Sequence, residues 1–163
     1  MLAAAFAAGC SSLPPAEAQL ARCTQEDIDF LVGDAICKIV RGGMRFAHEG
    51  PRSVVNVKPV KGSTLPQCPA ADALLGSMTA LLRNELDASG LAIVYDEETG
   101  CAIARSGASS VLPGYILESE LRMRPEEYGR GRMTDTFAFD TRLVDVKTGL
   151  VVLQNRSQIM KTR

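Results

Sequence analysis

The chain has 163 residues, 46% apolar and 23% charged, and eighteen basic against nineteen acidic side chains leave a formal net charge of -1. These proportions suit one globular domain and exclude a disordered chain, a coiled coil and a basic nucleic-acid footprint. One His and no Trp exclude His-cluster metal sites within the chain and leave poor material for aromatic stacking platforms.

No apolar run reaches the roughly 20 residues a membrane-spanning helix needs, and no Walker A or Gly-x-Gly-x-x-Gly pattern is present. The first twelve residues carry the first positive signal. Leu2–Ala8 is apolar and ends in small side chains, followed by Gly9, Cys10 and Ser11. This resembles the end of a bacterial lipoprotein signal, in which small residues precede a cysteine that becomes lipidated. The resemblance implies a partial signal peptide over 1–9, a lipid on Cys10 and anchoring without a transmembrane helix. Ser11, where an inner-membrane retention signal would have Asp, implies the periplasmic face of the outer membrane. The alternative is an alanine-rich start that is not processed. Residues 10–23, with Pro14 and Pro15 among small and polar side chains, read as a tether.

Thr24 can cap a helix, with Glu26 and Asp27 at the positive end of its dipole. Ile28, Leu31, Val32, Ala35, Ile36, Ile39 and Val40 follow at helical spacing until Gly42 and Gly43 stop the run. Residues 53–60 (SVVNVKPV) are β-branched and predict a strand. After a Gly- and Pro-bearing loop, residues 70–89 predict a second helix with Leu74, Leu75, Met78, Leu81, Leu82 and Leu86 on one side and Gly90 at its end. Residues 91–95 (LAIVY) predict a buried strand, and 96–110 a loop or poorly formed helix.

From Tyr115 the pattern alternates. Tyr115, Leu117, Leu121 and Met123 share one face, Glu118, Glu120 and Arg122 the other. Residues 125–133 predict a hairpin end, 134–146 a strand with Phe137, Phe139 and Leu143 opposite Asp140 and Arg142, and 150–160 the last strand. Gly149 suits the positive φ of the turn between them. The expected fold is α/β (α+β): a small mixed sheet with two helices on one face, a parallel β-α-β first half and a C-terminal antiparallel meander. The other face would carry Glu118, Glu120, Asp140, Arg142, Gln154 and Arg156, either solvated or facing a partner.

Apart from Cys10, the chain has Cys23, Cys37, Cys68 and Cys101. An even number in an oxidising compartment permits two disulfides, with three connectivities. Cys23 and Cys37 bracket a helix and would lie roughly 20 Å apart, beyond disulfide reach. The layout favours Cys23–Cys68 with Cys37–Cys101. A single Cys68–Cys101 bond, with Cys37 buried as a small hydrophobe, is the competing outcome.

Several stretches together look familiar: the cysteine and tether, SVVNVKPV leading to a Gly-Ser-Thr loop, the helix end at 82–90 (LRNELDASG), and the closing run 139–153 (FDTRLVDVKTGLVVL). Over residues 24–163 the chain resembles the LpoB family of outer-membrane lipoproteins. The same α/β unit is similar to the N-terminal domain of TolB and the core of the curli exporter CsgG. The LpoB resemblance implies an accessory protein with no catalytic site and no cofactor, which binds a class A penicillin-binding protein and stimulates glycan polymerisation and crosslinking. It implies a monomer. The CsgG resemblance implies instead a peripheral structural subunit of an outer-membrane assembly.

Chemistry for catalysis is lacking in the sequence. His48 has no Gly-x-Ser-x-Gly nucleophile to serve, and the pairs Glu97-Glu98 and Glu126-Glu127 fall in expected turns. The richest interaction stretch is 122–132 (RMRPEEYGRGR). Its Arg122, Arg124, Tyr128, Arg130 and Arg132, with Arg142 on the next strand, are the partner-binding candidates, because Tyr and Arg are enriched in hot spots. Such arginines could also touch anionic peptidoglycan directly.

Overall fold

The computed structural model describes residues 15–43, 53–90, 92–96, 101–102, 112–128 and 132–162. Cys10, His48 and the Glu97-Glu98 pair lie outside them. The elements in chain order are α1 (Pro15–Leu20), α2 (Gln25–Gly43), β1 (Ser53–Val57), α3 (Pro69–Ala88), β2 (Ala92–Asp96), β3 (Cys101–Ala102), β4 (Tyr115–Tyr128), β5 (Arg132–Asp145) and β6 (Val151–Thr162). The strands form one sheet in the order β3-β2-β1-β4-β5-β6. β1 is parallel to both β2 and β4, and all other neighbours are antiparallel. The α/β class, the β-α-β unit and the meander are as the sequence implies.

Helix α2 starts where Thr24 can satisfy the first turn. The Thr24 N–H donates to Asp27 Oδ2 at 2.8 Å, and Thr24 Oγ1 accepts the Asp27 N–H at 3.4 Å. This is a reciprocal capping box, with Asp in the position usually held by Glu or Gln. Its apolar stripe (Ile28, Leu31, Val32, Ala35, Ile36 and Ile39) is buried. Helix α3 begins on Pro69, whose missing N–H costs nothing in the first turn. It ends at Ala88 with Ser89 as its C-cap, followed by Gly90 at φ 71°, the left-handed conformation that a glycine takes without strain. Met78, Leu82 and Leu86 are its deepest residues.

Both long helices lie on one face of the sheet. Their stripes meet Val55, Val57, Val94, Leu117, Leu121, Phe137, Phe139 and Leu143 in a single buried cluster. Strand alternation places those side chains together, because β4 and β5 pair without a slip from Tyr115↔Asp145 to Tyr128↔Arg132. A shift of one residue would turn Leu117, Leu121 and Met123 into solvent.

Three boundaries differ from expectation. The tether expected over 10–23 is helical at Pro15–Leu20, and Leu20 is buried in the core cluster. Leu20 is the one large apolar side chain of Pro15–Leu20, too little to give a helical period, so tertiary burial decides it. The strand expected over 53–60 ends at Val57, because Pro59 cannot donate to a ladder. Its hydrogen bonds to β4 nevertheless resume, from the Lys61 N–H to the Ser119 carbonyl at 2.9 Å and from the Leu121 N–H to the Lys61 carbonyl at 2.8 Å. The hairpin end expected at 125–133 is narrower, since residues 125–128 are already paired with 132–135. The two-residue β3 was not foreseen; its span falls within the expected 96–110 loop.

The cysteines also depart from expectation. Cys23, Cys37 and Cys68 carry free thiols, so the Cys23–Cys68 bond is not formed. Cys23 and Cys68 each pack against the core as small apolar groups. Cys37 is exposed rather than buried, since its position falls on the outer side of α2. The backbone of Cys101 lies in β3; because the thiols of Cys37 and Cys68 are free, neither the Cys37–Cys101 bond nor the competing Cys68–Cys101 bond is formed. Burial, with Asp27 nearby, pushes the Cys23 thiol up to about 11. It therefore stays protonated at neutral pH and is a poor participant in thiol exchange.

Two outcomes follow. Truncating Leu20→Ala should cost about 2–3 kcal/mol in urea unfolding, at the low end for a buried leucine; a change within about 0.5 kcal/mol would restore the tether reading of this segment. In the native protein at neutral pH, Cys37 should react with a thiol reagent at least about tenfold faster than Cys23, as followed by peptide mass mapping.

Candidate functional site

The face of β4–β5–β6 turned away from the helices is built by the other half of the alternation. Register fixes which charges meet. Glu118 is directly opposite Arg142, and Asp140 is opposite both Glu120 and Arg156. Each acid finds a base. Arg142 Nε donates to Glu118 Oε2 at 2.5 Å. Arg156 grips Asp140 with two nitrogens, Nε to Oδ1 at 2.6 Å and Nη2 to Oδ2 at 3.0 Å. Arg122 Nη2 donates to Glu120 Oε2 at 2.7 Å, and its Nε lies 3.6 Å from Asp140 Oδ2. Opposite charges facing one another across a sheet stabilise the pairing that brings them together.

The loop after β1 closes one side of this surface. Ser63 Oγ donates to Glu120 Oε1, and the Met123 N–H donates to Thr64 Oγ1 at 2.8 Å. Together the loop and strands frame an open concavity of about 600 Å³, whose floor and walls include Lys61, Ser63, Glu120, Arg142, Gln154 and Arg156.

The charges in it are layered. The Arg142 and Arg156 side chains are 55% and 57% exposed, whereas their partners Glu118 and Asp140 are 30% and 16% exposed. The carboxylates lie underneath and the guanidinium groups form the outer surface. Hydrogen bonds from Arg122 and Ser63 hold the Glu120 carboxyl below its usual range. The Asp140 carboxylate raises Arg156 in turn. Ion pairs this exposed contribute little to stability. What they do is fix the direction of long side chains that would otherwise sample many rotamers, so less entropy is lost when a partner binds.

Of the residues the sequence singles out, Arg122 and Arg142 lie in the concavity. Arg124 is exposed further along the same face. Tyr128 and Arg132 are opposite one another at the far end of the β4–β5 ladder; their side chains, and all of Arg130, are outside the described residues. The sequence placed Glu118, Glu120, Asp140, Gln154 and Arg156 on this face, but Arg156 was missed as a binding candidate. Its signal was the period-2 pattern of 154–160. The contribution of Lys61 and Ser63 had no signal, because it arises from the loop folding over β4. Among the described residues, no group of three or more His, Cys, Asp or Glu is arranged to hold a metal ion. No helix among them is long and apolar enough to cross a membrane.

The domain is a mixed sheet with both long helices on one face and an arginine-bearing surface on the other. No protein-family model matches the sequence, and no curated protein matches it. Solved structures do match. The LpoB C-terminal domain from Salmonella enterica superposes with a TM-score of 0.54 at 15% identity, over 83% of this chain and 99% of that one. The LpoB C-terminal domain from Escherichia coli gives 0.49 at 18% identity over the same shares. Lipoprotein GNA1162 from Neisseria meningitidis gives 0.42 at 16% identity, over 68% of this chain and 83% of that one. The chain has the LpoB-like fold.

The lowered Glu120 carboxyl has a checkable sign. Its contribution is complete above pH 4.5, the ordinary value, and is lost as the pH falls through the lowered one. The urea midpoint of wild type should therefore drop relative to Glu120→Gln between about pH 5 and pH 3. Parallel curves would mean that the hydrogen bonds to Glu120 are not maintained in solution.

Proposed function

We propose that this chain is a lipid-anchored accessory protein of the bacterial envelope that binds and activates a peptidoglycan synthase of the penicillin-binding class. The LpoB-like fold supports this, as does the sequence resemblance over residues 24–163. The observation that carries it is the outward layer of Arg142 and Arg156, with the half-buried Arg122 beside it, a surface already ordered for a partner. The activity is allosteric rather than chemical: binding a domain of the synthase favours its active state. In this reading Cys10 carries the lipid and the protein is held at the periplasmic face of the outer membrane. The arginine face then engages an acidic surface, since Arg142 and Arg156 are more than half exposed above the carboxylates that hold them.

The test is a glycan polymerisation assay with a purified class A penicillin-binding protein. Wild type should raise the rate. The double substitution Arg142→Gln with Arg156→Gln should weaken binding by about tenfold or more, with unfolding free energy within about 1 kcal/mol of wild type. No stimulation by wild type, or full stimulation by the double variant, would refute the reading.

A further inference from the structure

Among the described residues strand β6 ends the sheet, and its twelve residues, Val151–Thr162, form a long outer edge. Such an edge offers a row of backbone groups to any other strand, and most directly to a second copy of itself. The midpoint of β6 falls between Arg156 and Ser157. A twofold axis that joins two antiparallel β6 strands into one continuous sheet sets a residue against its own copy, and the longest overlap centres it on Arg156 or Ser157, so whatever occupies that point decides whether two copies can join.

The point is occupied from α2. Lys38 Nζ donates to the backbone carbonyl of Arg156 at 2.8 Å. Lys38 is held in turn by Asp34 Oδ2 at 2.5 Å, and Asp34 Oδ2 also accepts the Ser157 hydroxyl at 2.5 Å. Asp34 and Lys38, one turn apart on α2, thus close over the centre of the edge strand, with the Ser157 hydroxyl of β6 tying them down. A second attachment, Lys161 Nζ to Asp27 Oδ1 at 2.8 Å, secures the far end of β6 to the same helix. Arg156, the other cation at the midpoint, is turned away to Asp140.

The geometry points to the Asp34–Lys38 pair as a guard that keeps the chain monomeric by blocking antiparallel addition of a second copy at β6. Pairing would have to strip Lys38 from the Arg156 carbonyl in both copies and bring the two ammonium groups together at the axis. Removing the ammonium should open the edge. The pairing would also shelter the exposed Val151 and Val152, which lie at the start of the same strand.

The test is sedimentation equilibrium on the full, unlipidated chain over about a hundredfold range of concentration, in reductant so that the exposed Cys37 cannot crosslink. Wild type should remain at one chain mass. Lys38→Ala should move towards two chain masses, with at least about a tenfold gain in association, and Asp34→Asn should fall between them. In the Lys38→Ala dimer, hydrogen exchange should slow within 151–162 and not at β3. Circular dichroism establishes that each variant is folded, and Lys38→Met serves as a second variant should Lys38→Ala unfold. A folded variant that stays monomeric, a dimer without new protection in β6, or a wild type that already dimerises through β6 would each overturn the inference.

Discussion

The alternation of β4, β5 and β6 is the constraint on which the rest of this structure depends. A strand sends successive side chains to opposite faces, so one register decides both faces at once. The register that buries Leu117, Leu121, Phe137 and Phe139 against α2 and α3 also sets Glu118 against Arg142 and Asp140 against Arg156. The energetics of the two faces differ in kind. Burying a large apolar side chain contributes about 1.5–3 kcal/mol, whereas an exposed ion pair contributes about 0–1. The core therefore chooses the register, and the charged surface is carried with it.

That division of labour suits the proposed binding role. The charged face can change without endangering the fold, because little of the folding free energy resides there. Its order comes from the carboxylates beneath: Asp140 holds two nitrogens of Arg156, and Glu118 holds Nε of Arg142. Helix α2 ties the outer strand to the same frame at Lys38, Asp34 and Asp27. The sheet is braced on the side that packs and carries the ordered charges on the other.

Much of this was legible in the sequence, for reasons that can be named. Helix α2 and helix α3 have long stripes with a stop signal at the end, and the meander has strict alternation with a glycine at φ 69° in its last turn. These are local signals repeated over many residues. What escaped had only one residue to announce it, or none. Leu20 is the one large apolar side chain of α1, and its burial depends on α1 meeting α3. The rungs at Lys61 and Thr64 follow a proline that locally contradicts a strand. Cys37 reads as part of an apolar stripe and yet faces outward. The site was half legible: parity put Arg142 and Arg156 on one face, but only the fold reveals that Asp140 lies between Arg156 and Arg122, or that Ser63 reaches Glu120.

The central claim, that the open face of the meander meets a peptidoglycan synthase, is tested most directly by site-specific photocrosslinking in cells. A photoreactive residue in place of Gln154, within the concavity, is compared with one in place of Asn84, exposed on α3. The account predicts that Gln154 captures a class A penicillin-binding protein and Asn84 does not. Capture of the synthase from Asn84 alone, or of outer-membrane components alone from Gln154, would contradict it.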